Sequence, residues 1–304
     1  MKKILVLLSG LILGSVSGYS QGQLNQSLNQ DEYVGGLGPD AALTDIGGSP
    51  SNGTHFLKDF NPGAIRFGGF VGYRKRVNRA FSVKGILTIA ELYGNDDLSS
   101  DPVRFNRNQN FRTLIIEPSV QAEYHFIQFL QEGHRYKIKH AHGFQSGAWD
   151  AYLFTGIGGL YFNPEGKYTN GEWYSLRPLS TEGEGLPGGP STYSPIALTI
   201  PLGLGIKYKI DENWSAGIEF SDRIWTSTDY LDDTHGTYFS PSEIEQYKGP
   251  IAAYFSHPVL GLIPAQDAVG QERGDPTHND SYMFMFLCVN YHIDSHHRRG
   301  RSKF

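Results

Sequence analysis

The sequence contains a single cysteine, Cys288, in 304 residues, which excludes an intramolecular disulfide framework and any cysteine-based zinc cluster. Long apolar runs are missing after residue 20 and the mean hydropathy is −0.37, so no bundle of membrane helices is encoded. Charge is sparse, at 19% of residues, and the formal total of −5 says less than its distribution along the chain. What is abundant is glycine, with 37 residues, together with 18 Tyr and 18 Phe. Glycine usually makes up about 7% of a chain; an excess of glycine and aromatics with moderate charge suits strands and turns.

The N-terminus has the layout of an export signal. Lys2 and Lys3 supply a positive start, and Ile4 to Val16 form an apolar stretch too short to span a bilayer. Gly18-Tyr19-Ser20 places small residues where a signal peptidase reads, predicting cleavage between Ser20 and Gln21. The expected organisation is a signal peptide over 1–20, one β-domain over 21–293 and a basic tail over 294–304.

The remainder alternates with a period of two. In IALTIPLGLGIKYKI (196–210), Ile196, Leu198, Ile200, Leu202, Leu204 and Ile206 fall on one parity, and Thr199, Gly203, Gly205 and Lys207 on the other. Such alternation marks a strand with one apolar face. Pro201 removes a ladder hydrogen bond there and predicts a bulge. The same alternation covers 111–126, 214–221, 65–74 and 81–89, whereas 149–162 and 281–293 are apolar on both parities and 32–45 is irregular. That makes eight strands. Hairpin-length turns at Asn78-Arg79-Ala80 and Asp211-Glu212-Asn213 alternate with long connections near 46–63, 94–110, 162–194 and 227–280. Short turns on one rim and long loops on the other characterise outer-membrane barrels, with the turns in the periplasm and a longer insertion here at 127–148. Trp149, Tyr208, Trp214 and Tyr291 are expected at the periplasmic rim, and Tyr93, Tyr161, Phe162 and Trp225 at the outer one. A soluble β-sandwich also alternates, but its outer face would be richly charged rather than full of Gly, Ser and Thr. The expected fold is therefore all-β, an eight-stranded antiparallel transmembrane β-barrel.

A barrel this narrow is filled by side chains. Arg66, Arg74, Lys84, Glu117, Glu123, Lys207, Glu219 and Arg223 fall on the inward parity, and buried charges must pair. The expected result is an internal salt-bridge lattice, with function placed on the loops and rims. Asp229, Asp232 and Asp233 in TDYLDD offer either carboxylate ligands for a divalent cation or turn and cap groups; no EF-hand spacing is present. The histidine groups His134, His140, His142 and His292, His296, His297 read as solvated more readily than as metal ligands. The glycines of FTGIGG lie inside a strand pattern, and no nucleophile-elbow motif is present. No cofactor, metal or enzymatic activity is expected.

Charge sorts by rim. Periplasmic elements carry Arg74, Arg76 and Arg79, then Arg135, Lys137 and Lys139, and the tail carries Arg298 and Arg299; the outer loops carry most of the acids. A basic rim can dock an acidic protein partner or rest on anionic headgroups.

Several stretches are similar to the PorG family, the small outer-membrane barrel of the type IX secretion system. They are AYLFTGIGGLYFNPEGKY (151–168), SLRPLSTEGEGL (175–186), IPLGLGIKYKI (200–210), TDYLDDTHGTYF (228–239), GDPTHNDSYMF (274–284) and RNQNFRTLIIEPSVQAEYHF (107–126), in the same order along the chain. TEGEGL and TDYLDD are the most specific of them. The resemblance implies an integral outer-membrane protein associated with a periplasmic ring, formed by a lipoprotein and its soluble partner, that serves protein export and in some bacteria gliding. Docking through Arg74, Arg76, Arg79, Arg135, Lys137, Lys139, Arg298 and Arg299 is the expectation, with outer-membrane lipids as surroundings and neither nucleic acid nor a small-molecule substrate as partner. The alternative is a conduit passing apolar solutes sideways into the membrane, which requires a roomy upper lumen lined by Tyr161, Phe162 and Phe284.

Overall fold

Alternation with a period of two builds the wall. The computed structural model describes residues 30–46, 62–78, 80–99, 101–127, 149–211, 213–263 and 269–294. Its strands are β1 (Gln30–Leu43), β2 (Arg66–Arg76), β3 (Phe81–Asn95), β4 (Asn110–Ile127), β5 (Trp149–Lys167), β6 (Trp173–Ser175), β7 (Ile196–Lys209), β8 (Trp214–Thr226) and β9 (Ser281–Asp294). All pairings are antiparallel, in the order β4-β3-β2-β1-β9-β8-β7-β5, and β4 pairs with β5 to close the ring. Eight strands form the wall, because β6 is a three-residue flap on the outer end of β5. Closure leaves no free edge, which is the condition for a sheet in hydrocarbon.

The eight expected strands are present and most run longer than the apolar pattern. β3 continues from Ile89 to Asn95, and β5 from Phe162 to Lys167, because hydrogen bonding carries on beyond the lipid-facing band into the loops. The register shifts at Ile200/Pro201, where the proline lacks an N–H. The expected signal peptide over 1–20, the insertion over 128–148 and the tail from residue 295 lie outside the described residues.

The outer surface is apolar. Leu37, Phe67, Val71 and Ile157 are 66–75% exposed, which in water would be a large liability and in lipid is the required surface. At the short-turn rim every barrel strand contributes one aromatic residue, and the eight form four cross-strand pairs. Tyr33 meets Tyr73 at 5.8 Å, Phe81 meets Tyr124 at 5.3 Å, Trp149 meets Tyr208 at 4.9 Å and Trp214 meets Tyr291 at 4.9 Å. Each pair is also a register pair, so the ring follows directly from strand alignment. Aromatic rings at this height anchor a barrel at the headgroup level. On the long-loop rim Tyr161 and Trp225 face outward, but Phe162, expected there, points inward and is fully buried. β5 is apolar on both parities, so composition does not reveal which side Phe162 takes.

The long loops fold into a cap. It contains α1 (Pro102–Arg107), α2 (Pro241–Lys248) and α3 (Pro250–Ser256). Asp101 caps α1 by accepting from Val103 N at 2.9 Å, and Ser240 caps α2. Gly183 in TEGEG has φ +80°, and a Cβ there would lie 2.6 Å from the Phe239 ring, so only glycine suits this buried turn. Leu231 plugs the outer mouth, fully buried in the core with Phe162 and Tyr193.

Candidate functional site

The lumen is filled in layers. Near the short-turn rim Arg74 takes the centre. Its guanidinium lies 2.7 Å from Glu32, 2.7 Å from Glu123 and 3.1 Å from Glu219, and Nη2 donates to Tyr152 Oη at 3.0 Å. Lys84 Nζ donates to both Glu219 oxygens at 2.8 Å, and Lys207 Nζ to both Glu32 oxygens at 2.9 and 3.0 Å. Arg76 reaches Asp150 at 3.3 Å. Four cations, Arg74, Arg76, Lys84 and Lys207, thus face four carboxylates, Glu32, Glu123, Asp150 and Glu219. An equal count lets every ion keep its charge out of water.

Above this layer lie Phe70, Phe154, Phe284 and Phe286. Lys84 Nζ sits 4.6 Å from the Phe154 ring centre, and the Arg223 guanidinium 4.5 Å from that of Phe284. A second ionic layer follows, in which Arg223 grips Glu117 with two hydrogen bonds at 2.8 and 2.9 Å and Tyr282 donates to the same carboxylate.

The chain places Lys84, Glu117, Glu123, Lys207, Glu219 and Arg223 in these layers, each at most 4% exposed. Arg66 stands elsewhere: it is half-buried at the outer end of β2, with its guanidinium 3.8 Å from the Tyr93 ring centre. Arg74 and Arg76, expected as docking groups, are corrected by the structure. Arg74 is 1% exposed, and the Arg76 side chain is 10% exposed and engaged with Asp150, so neither presents a charge to a partner. Arg79, Arg135, Lys137, Lys139, Arg298 and Arg299 lie outside the described residues. The upper lumen is not roomy: Phe162 and Phe284 are packed at 0% and 1% exposure, and Tyr161 faces lipid.

Sequence reasoning missed Glu32, Asp150 and Tyr152, and it put His125 on the polar side of β4 without giving it a role. Glu32 is on the irregular first strand and Asp150 and Tyr152 on a strand apolar on both faces, so parity carried no signal for them. His125 Nε2 lies 2.8 Å from Ser82 Oγ and its Nδ1 2.6 Å from Asp150 Oδ1. The spacing is that of a hydrolase triad, but all three residues are at most 1% exposed, and Asp150 is shared with Arg76 and Lys207. Here the arrangement satisfies buried polar groups.

The cap is held together by carboxylates. Asp232 accepts from Ile46 N at 3.0 Å and Thr234 N at 2.9 Å, and Asp233 accepts from Thr181 Oγ1 at 2.6 Å and from the Tyr193 hydroxyl. Asp229 lies 2.6 Å from His235 Nδ1. The TDYLDD acids are thus bound to protein donors, and among the described residues no three His, Cys, Asp or Glu side chains converge as metal ligands. Glu182 accepts from Arg273, from His235 N and from Gly236 N, joining the TEGEGL loop to the TDYLDD loop. Arg107 binds Asp96 at 2.8 Å and donates to the carbonyls of Asp45 and Arg273, so one guanidinium links three connections. Burial, reinforced by neighbouring carboxylates, pushes Asp229 up to about 9, Asp232 to about 7 and Asp233 to about 8.

No family model and no curated protein matches the chain. Among solved structures it is similar to Ail, the attachment invasion locus protein of Yersinia pestis, at 9% identity over 87% of this chain and 99% of that one, with a TM-score of 0.38. Outer membrane protein OprG from Pseudomonas aeruginosa is 10% identical over 87% and 96% of the two chains, with a TM-score of 0.35. Outer membrane protein AlkL is 10% identical over 91% and 96%, with a TM-score of 0.34. These likenesses concern architecture alone. The closed wall, the apolar exterior and the complete aromatic ring of this chain itself make it a small outer-membrane β-barrel.

Proposed function

We propose that the protein is a non-enzymatic outer-membrane anchor that positions the periplasmic ring of the type IX protein secretion machinery. The observation that carries this reading is the solid lumen: two ionic layers, a phenyl layer between them and a plugged outer mouth leave the rims as working surfaces. The similarity to the PorG family supplies the choice of machinery. Its two most specific stretches, TEGEGL and TDYLDD, are the ones whose carboxylates join the cap.

With Arg74 and Arg76 engaged inside the barrel, the docking charges are proposed to be Arg79, the basic set Arg135, Lys137 and Lys139, and the tail with Arg298 and Arg299. Reversing Arg79, Arg135, Lys137 and Lys139 together is expected to reduce co-purification of the ring lipoprotein and its soluble partner while membrane insertion stays unchanged. Undiminished co-purification, together with no crosslinks from these turns in intact cells, would argue against the docking surface. Uptake of apolar solutes into liposomes by the purified protein would favour the conduit instead.

A further inference from the structure

The apolar belt of the wall is not equally tall all the way round. On β7 the outward side stays open and apolar from Tyr208 at the short-turn rim to Ile196: Ile206, Leu204, Leu202, Leu198 and Ile196 are 40–66% exposed, and Ile200 among them is half-buried. On β5 the outward side is bounded in the same way by Trp149 and Tyr161, 44% and 45% exposed. At about 3.3 Å per residue and a strand tilt of about 40°, each of these strands presents a belt about 30 Å tall. That is the thickness of the hydrocarbon layer.

On β9 and β1 the belt stops halfway. Tyr291, Val289, Leu287 and Met285 are 39–66% exposed, but Met283, the next residue on the same side, is 5% exposed. On β1 Tyr33 and Leu37 are 59% and 73% exposed, whereas Ala41 is 4% exposed. Met283 and Ala41 are register partners, so both strands lose their lipid-facing surface at one level. By the same rise and tilt, the open belt from Tyr291 to Met285 is about 15 Å tall. On the neighbouring β8 the register partner of Met283 is Asp222, 7% exposed, and Ile224 beyond it is exposed again, so the short sector is β9 and β1. The limit is bordered by polar groups, with Ser281 Oγ donating to Asp222 Oδ1 at 3.2 Å.

Tilting the barrel does not correct a short belt. Rotation of a rigid wall raises or lowers β9 and β1 as a unit and does not lengthen the stretch between Tyr291 and Met285. Hydrocarbon of full thickness would bury polar groups at one end or the other, whereas compressing the lipid is the milder response to a short apolar surface. The aromatic ring fixes the short-turn end at one interface, so the deficit falls on the outer leaflet. We propose that the protein thins the outer leaflet beside β9 and β1, the pair that joins the last strand to the first, while β5 and β7 hold a bilayer of ordinary thickness. This sector fits acyl chains that are short or disordered. It needs neither the periplasmic turns nor their partners, so it stands apart from the anchoring role.

Matched positions on the two sides test this. Met285 and Leu202 stand equally far along their strands from the ring residues Tyr291 and Tyr208, and so, closer to the ring, do Val289 and Ile206. Each is replaced singly by cysteine in a Cys288→Ala background, spin-labelled and reconstituted into dioleoylphosphatidylcholine vesicles as a folded barrel, identified by its migration on unheated gels. Depth is read from collisions of the label with oxygen and with a water-soluble nickel chelate. The Met285→Cys label is expected about 10 Å closer to the polar phase than the Leu202→Cys label. The Val289→Cys and Ile206→Cys labels should lie at equal depth. In dilauroylphosphatidylcholine, whose bilayer is thinner, the difference between the Met285 and Leu202 positions should shrink. Equal depth at Met285 and Leu202 in the dioleoyl vesicles overturns the proposal. A Val289 label deeper than the Ile206 label overturns it as well, since that is the signature of a tilted barrel in an undeformed bilayer. Leu287 and Leu204 are a further matched pair that replaces Met285 and Leu202 should either variant fail to fold.

Discussion

Arg74 Nε lies 2.7 Å from Glu123 Oε2, and neither side chain is more than 1% exposed. Removing one partner leaves an uncompensated charge where water cannot reach it. Arg74→Met strands Glu32, Glu123 and Glu219 around an apolar side chain and is expected to cost about 3–5 kcal/mol. Arg74→Met with Glu123→Gln restores the balance of charge and should recover much of that loss. Urea unfolding in detergent micelles, followed by tryptophan fluorescence, measures both; an Arg74→Met protein as stable as wild type would mean the network contributes nothing to stability.

Glycines in the wall differ in what a side chain would meet. Gly205 is the register partner of Tyr152, and a Cβ on it would lie 2.4 Å from the tyrosine ring. Gly203 stands in the same relation to Phe154, at 2.3 Å. These glycines make the space in which large inward rings lie flat against the neighbouring strand. Gly85 and Gly159 have nothing within 4 Å of an added Cβ. Gly205→Ala is therefore expected to destabilise by about 1–3 kcal/mol through overpacking. Gly85→Ala and Gly159→Ala should stay within about 0.5 kcal/mol. Comparable unfolding midpoints for all three variants would refute the distinction.

The cap should loosen in alkali. Asp229, Asp232 and Asp233 have carboxyls raised from 3.8 to about 9, 7 and 8 by burial first, and then by the neighbouring carboxylates Asp232, Asp45 and Glu184 respectively. A group with a raised folded value adds stability that is full below its unfolded value and is lost as pH climbs through the folded one. Cap stability is thus expected to fall progressively from about pH 4 to about pH 9. Limited proteolysis within 227–280 should run on the order of tenfold faster at pH 9.5 than at pH 6. Strand protection in hydrogen exchange should not follow it. Cleavage that is slower at the higher pH would show that the acids are held ionised instead.

The similarity of two loops to one family and the alternation of the strands carried different amounts of information. Period-two patterning identified which side of β3, β4, β7 and β8 faces the lumen, and with it Lys84, Glu117, Glu123, Lys207, Glu219 and Arg223. It failed for Asp150 and Phe162 because β5 is apolar on both parities, and for Glu32 because β1 is rich in glycine. Patterning placed Arg74 on the inward side, where it lies; it was the sorting of charge by rim that offered Arg74 and Arg76 as docking groups, because both are close to a short turn in sequence although they reach inward in space. Nearness to a turn indicates height along the barrel, whereas the direction of a side chain depends on parity and on what lies across the lumen.

Composition and patterning by themselves determined an eight-stranded wall, apolar outside, with short turns on one rim and long loops on the other, because strand alternation and turn length are local properties. Which charge meets which was decided only by closure: Arg74 and Glu219 are 145 residues apart, and they meet because the closed ring of eight registers brings β2 and β8 within reach across the lumen. The sealed cap, the paired aromatic ring and the covered row at Asp222 have the same origin, since each depends on how strands and loops distant in sequence align once the ring is shut.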